Sequence, residues 1–196
     1  MDGSSREKGN MKRHNIQRSI VIFGLTAGIL LGLTLWGKVS FRARMYSTIA
    51  GSPPINVKID IDEYSPAEDI QKLSEALSKN DEDGFYKHLR SLSKGSIQFI
   101  GTLGLNIKLN VVQEQSTEKG IKIFGLTESR SVEPGSTRLK NIPWRFLVVV
   151  LTLDKNFNGE GFIYEDAVVD FLPQGLLELG SSFSAPKSLV SVRLIK

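Results

Sequence analysis

Hydrophobic and polar positions change their period along this chain, and each change predicts an element. Residues 19–37, SIVIFGLTAGILLGLTLWG, contain no Asp, Glu, Lys or Arg. As a helix this run is roughly 28 Å long, close to the hydrocarbon thickness of a bilayer, so it predicts a transmembrane helix. Residues 1–18 then form a basic cytoplasmic tail, and residues 38–54, ending in Ser, Gly and Pro, read as a linker. Beyond the linker, INVKIDI at 55–61 alternates strictly and predicts a half-buried strand with Ile55, Val57, Ile59 and Ile61 inward. Ser65-Pro66-Ala67-Glu68 predicts a helix start, with Ser65 as N-cap and Glu68 completing a capping box. Ile70, Leu73 and Leu77 follow at helical spacing. A second helix is expected from Asn80 or Asp81, with Phe85, Leu89 and Leu92 on one side and acids at its positive end.

After Lys94-Gly95 the period becomes two and stays there. Candidate strands cover 97–103, 105–113, 121–127, 144–153, 161–171 and 188–195, and the loop at 129–141 is long enough to be functional. The run 146–151, FLVVVL, is apolar on both faces and predicts a central strand covered on both sides. The fold class expected is α+β: a single N-terminal transmembrane helix, then residues 55–196 as one extracytoplasmic domain. That domain is a mostly antiparallel sheet of five to seven strands with two early helices packed on it.

The order Gly95-Ser96-Ile97, Gly101-Thr102-Leu103-Gly104, Phe124-Gly125-Leu126-Thr127-Glu128, Leu153-Asp154-Lys155, Gly159-Glu160-Gly161, Ala185-Pro186 and Leu189-Val190-Ser191-Val192-Arg193 resembles a family of short secreted or membrane-anchored bacterial proteins. The resemblance covers about residues 55–196 and is carried by order and spacing, since each motif is a turn or a strand end. It implies compartment and fold more than function. The chain departs from the pattern at Asn141-Ile142-Pro143-Trp144, where Tyr-Pro-aromatic is expected, and at Ser182-Phe183, where Tyr-Gly is expected.

Charge sets the topology. Residues 1–18 carry five Lys/Arg against two acids, and residues 38–44 carry Lys38, Arg42 and Arg44. With more basic residues before the apolar run than after it, the N-terminus stays cytoplasmic and the domain crosses. A cleaved secretory signal is the competing reading. Against it, the run is long, cations follow at once, and the nearest small-x-small tripeptide is Thr48-Ile49-Ala50. Trp36 suits the outer headgroup boundary, and Gly24, Gly28 and Gly32 space as a helix-packing stripe, although glycine is common in such segments anyway. Residues 45–196 hold 17 Lys/Arg and 19 Asp/Glu, so the whole-chain charge of +4 sits beside the apolar run. A domain without a basic stripe argues against nucleic acid.

Candidate chemistry is sparse. With no Cys, thiol catalysis, thiolate metal sites and disulfides are excluded. Asp154-x-Asn156-x-Asn158-Gly159-x5-Glu165 satisfies the calcium-loop pattern of an EF-hand. Its flanks, however, read as strands where the motif needs helices, so a hairpin turn with Asn158-Gly159 at positive φ is the better reading. Asp166 and Asp170 share a strand face but stand roughly 13 Å apart, too far for a catalytic pair. His88 is the one histidine after residue 37 and reads as a surface or helix-boundary residue, with no Gly-x-Ser-x-Gly elbow to join it. Gly101 and Gly104 lie between strands, where glycine marks a bend. Trp144-Arg145 is either a buried core plug or an exposed anchor for a partner.

No catalytic, cofactor or metal residues are therefore assigned. The expected function is non-enzymatic: a single-pass inner-membrane protein, held in the lipid bilayer by residues 19–37, whose domain binds a protein partner or serves as an accessory subunit. The alternative is a carrier of an apolar or lipid-like ligand between sheet and helices.

Overall fold

The computed structural model describes residues 38–46, 51–101, 105–129, 145–172 and 174–195. The tail at 1–18, the apolar run at 19–37, Trp144 and most of the 129–141 loop lie outside them. No helix among the described residues is long and apolar enough to cross a membrane.

The described residues form ten strands and two helices. In chain order the first elements are β1 (Val39–Tyr46), β2 (Ile55–Ile61), α1 (Ala67–Ser78), α2 (Glu82–Ser91), β3 (Gly95–Ile100) and β4 (Asn106–Leu109). They continue as β5 (Val111–Thr117), β6 (Gly120–Glu128), β7 (Phe146–Leu153), β8 (Asn158–Phe171), β9 (Leu177–Ser182) and β10 (Lys187–Ile195). All pairings are antiparallel, in the order β4-β3-β2-β1-β10-β8-β7-β6-β5, with β9 added beside the second half of β8. β4 and β5 stand at opposite ends of that order, yet in the chain only Asn110 separates them. The sheet curls on itself into a barrel whose seam between β4 and β5 is spanned by the chain at Asn110 rather than by strand pairing.

Asn110 makes the corner possible. Its backbone N–H donates to Leu126 O (2.9 Å), its Nδ2 donates to Leu92 O (2.9 Å), and its Oδ1 accepts from the Thr127 hydroxyl (2.6 Å). Its backbone N–H and both ends of its side-chain amide are thereby satisfied, although Asn110 is only 5 % exposed.

These findings correct the fold class. The expected five to seven strands become ten, and the fold is mainly antiparallel β rather than α+β. The stretch expected as linker contains β1, whose Val39, Phe41, Ala43 and Met45 are all buried. The expected strand at 105–113 breaks into β4 and β5 at Asn110, and β9 is short, with only Leu177 and Leu179 as alternating apolar positions to betray it.

Alternation explains the two cores. One cluster fills the barrel with residues from every wall strand, among them Phe41, Ile59, Ile97, Leu109, Leu151 and Leu189. The second lies outside the barrel, where Ile70, Leu73, Phe85 and Leu89 of the helices cover Phe124, Leu126, Phe146 and Val148. β7 faces both, and its residues 146–151 are all buried, as its double-sided apolar pattern predicted. Helix α1 starts one residue later than expected, with Pro66 as N-cap and no side-chain cap. Ser65 instead exchanges hydrogen bonds with Val112, its hydroxyl accepting from Val112 N (3.1 Å) and its own N–H donating to Val112 O (2.7 Å). Its side chain ties the helix entry to β5. Asp81 caps α2 by accepting from Gly84 N (2.9 Å).

Candidate functional site

The helices cover one side of the barrel and leave the outer faces of β10, β1 and β2 uncovered. On β1 the alternation that buries Phe41 and Ala43 turns Ser40, Arg42, Arg44 and Tyr46 outward. Arg42 stands directly opposite Arg193 of β10 on one side and Lys58 of β2 on the other. Side chains so placed have Cβ atoms about 4.5–5.5 Å apart, and like charges there are destabilising. Arg44, two residues on, lies on the same face opposite Asn56.

The neighbouring lysines are compensated and the arginines are not. Lys58 pairs with Asp60 (2.9 Å) and Lys38 with Asp62 (3.0 Å). Arg42, Arg44 and Arg193 are exposed, and no carboxylate of the described residues forms an ion pair with any of them. Burial pushes the Asp60 carboxyl up, but the Ser40 hydroxyl and the Lys58 ammonium outweigh it and hold Asp60 below the usual carboxylate range. Asp60 is thus committed to its own neighbours.

Backbone irregularity coincides with this charge. On the β1 side the register of β10 passes from Val190–Arg44 to Arg193–Arg42. On the β8 side it passes from Leu189–Gly161 to Val192–Gly159. Ser191 therefore bulges with no register partner in either neighbour, at φ 53°. A non-glycine residue in that region costs on the order of 1–3 kcal/mol. Around the bulge opens a cleft of about 550 Å³ lined by Arg42, Arg44, Asn56, Ile100, Ser191 and Arg193. Its charged side chains are guanidinium forks, which only donate, joined by an amide and a hydroxyl. Such a lining complements an acceptor-rich anion.

The sequence candidates fall elsewhere. Residues 154–159 form the tip of the β7–β8 hairpin, where Asp154 Oδ1 accepts from Asn156 N (2.8 Å) and Asn158 N (3.0 Å). Phe157, at φ 60°, takes the left-handed position expected of Asn158-Gly159. Glu165 lies up β8 and pairs with Lys187 (2.5 Å), and no group of three metal-ligating side chains occurs among the described residues. Asp166 pairs with Arg145 (3.3 Å), whose guanidinium stacks 4.2 Å from the Phe183 ring centroid, whereas Asp170 is exposed on β8. Gly101 forms a turn after β3 at φ 89°.

His88 does better than a bare surface residue. Its Nε2 lies 3.6 Å from Asp69 Oδ1 and has no hydrogen-bond partner, while Asp69 Oδ2 is 3.6 Å from Lys94 Nζ. Lys94 also bonds Glu63 (2.6 Å). This array ties α1 and α2 to the start of β3.

Sequence reasoning missed Arg42 and Arg44 because it treated residues 38–54 as linker, and without β1 nothing set Asn56 and Arg193 beside them. The signal was there: V-x-F-x-A-x-M over 39–45 alternates as a strand does. No protein family, curated protein or solved structure matches the chain. The resemblance drawn from its turns and strand ends thus rests on those residues.

Proposed function

We propose that this chain is a non-enzymatic binding or accessory protein, held in a bilayer by residues 19–37 with its barrel on the extracytoplasmic side. It engages its partner through the outer face of β10, β1 and β2. The observation that carries this reading is the trio Arg42, Arg44 and Arg193, three exposed cations with no carboxylate of the described residues to answer them. A fold that leaves like charges opposed on a central strand gives up stability there, and a bound anionic group would restore it. The carrier alternative finds less support. The barrel interior is filled by its own side chains, and Phe85, Phe146 and Phe171 pack ring against ring between helices and sheet, with centroids 5.8–6.4 Å apart.

Protease added to sealed spheroplasts tests placement: it should cut the C-terminal portion from outside to the same extent as it does after lysis. Carbonate washing should leave the chain in the membrane pellet. A chain released by carbonate, or one protected from external protease in intact spheroplasts but cleaved on lysis, overturns the reading.

A further inference from the structure

We infer that the cleft at the Ser191 bulge is a binding site for a phosphate-type oxyanion, carried on a small molecule or a lipid headgroup. The inference rests on the reading of this face as the binding face and names the ligand chemistry for it.

Four observations converge on one place. Arg42 and Arg193 are direct cross-strand neighbours, and Arg44 follows on the same face, so three guanidinium groups border one cleft. The adjoining cations Lys58 and Lys38 each have a carboxylate partner, whereas no carboxylate of the described residues pairs with the three arginines. Ser191 holds a left-handed conformation in mid-strand with no register partner on either side. Such strain, kept inside an otherwise regular ladder, is typical of ligand sites. Finally, the lining adds neutral donors, Asn56 and Ser191, and two apolar residues, Ala43 and Ile100.

The chemistry selects among anions. Three guanidinium groups carry more charge than one carboxylate neutralises, whereas a phosphate monoester brings nearly two charges and three oxygens for forked N–H pairs. A cleft of about 550 Å³ exceeds a bare phosphate and leaves room for the group that bears it beside Ile100. A nucleic acid strand fits less well. The row Arg193, Arg42 and Lys58 spans only three strands, and no aromatic ring lines the cleft to stack a base.

Equilibrium dialysis of the full chain in a neutral, non-ionic detergent tests this with two probes: inorganic pyrophosphate and short-chain phosphatidic acid. At least one should bind saturably at up to millimolar concentration and weaken as salt rises. Binding of phosphatidic acid with little affinity for pyrophosphate identifies a headgroup as the source, and the reverse identifies a free phosphorylated solute. Arg42→Ala and Arg193→Ala should each lower affinity about tenfold, since each removes charge-assisted hydrogen bonds. Arg42→Lys, which keeps charge but loses the fork, should fall between. Lys79→Ala, on the far helix, should change nothing. Absence of saturable binding by both probes overturns the inference, as does binding indifferent to the arginine variants. So does binding of polyglutamate or an oligonucleotide by a chain that ignores both probes. Membrane retention and external protease sensitivity would stand through any of these failures, so the two readings fail separately.

Discussion

Truncating Phe41 to alanine tests the step on which the site depends, the membership of residues 39–46 in the barrel. Phe41 is fully buried, sits in the middle of β1, and packs within the barrel core. Its Cα partners are Ile59 on one side and Leu194 on the other, so the wall closes around the space it leaves and can collapse little. Phe→Ala at such a site costs about 3–5 kcal/mol, against a total stability of roughly 5–15 kcal/mol for a domain. The next residue, Arg42, points outward into like charge. Arg42→Ala should change stability by no more than about 0.5 kcal/mol, with a small gain from relieved repulsion. Pulse proteolysis of the full chain across a urea series reads both, because it reports loss of the barrel whatever the N-terminal segment does. With a urea slope of about 1–3 kcal/mol/M, Phe41→Ala should lower the midpoint by at least about 1 M, and Arg42→Ala should leave it nearly in place. Two indistinguishable variants would mean that this stretch does not build the wall.

Three further outcomes follow from single residues. Ser191→Gly should raise stability by about 0.5–1 kcal/mol, because relief of the left-handed strain exceeds glycine's added chain entropy. Ser191→Val should lower it, and urea midpoints read both. Asp60, held below its ordinary value of 3.8, contributes stability that is present above that value and is lost as pH falls through the lower folded-state one. Asp60→Asn should therefore be less stable than the parent near neutrality and show a flatter acid limb; an unchanged limb in acid unfolding curves refutes the assignment. Asp154→Ala should cost about 1–2 kcal/mol by freeing the Asn156 and Asn158 amides, and millimolar calcium should leave the melting temperature of the parent unchanged. A calcium-dependent rise would contradict the hairpin.

How much of this was legible depends on what encodes each feature. β2, α1, α2 and the doubly covered β7 announced themselves by local period, which one stretch of sequence carries by itself. Barrel closure did not, because it depends on Asn110 meeting Leu92, Leu126 and Thr127, contacts between distant residues that no local pattern specifies. The bulge was illegible for a related reason. Ser191 lies in a run, Leu189-Val190-Ser191-Val192-Arg193, that reads as ordinary alternation. Only pairing with β1 and β8 shows that one residue too many is present. The array at His88 depends likewise on α1 packing beside α2, which places Asp69 3.6 Å from its ring.

β1 was misread for a different reason, since its alternation was visible: its basic residues had already been given another meaning. Counted as flanks of an apolar run, Lys38, Arg42 and Arg44 explain topology and leave a domain of 17 Lys/Arg and 19 Asp/Glu, which favours no anionic partner. Counted in the barrel, they give 20 Lys/Arg against 19 Asp/Glu over residues 38–196, nearly balanced overall. Net charge hardly moves, but its distribution does. The acids answer lysines, as at Lys58, Lys94 and Lys187, or an arginine elsewhere, as at Arg90 with Glu128 (2.8 Å), while no carboxylate of the described residues pairs with the arginines of β1 and β10. The field at one cleft, and hence the class of ligand it draws, is set by which charges lack a neighbour rather than by the sum. Reassigning eight residues from linker to wall thus turns a chain with no evident ligand chemistry into one with a specific cationic cleft.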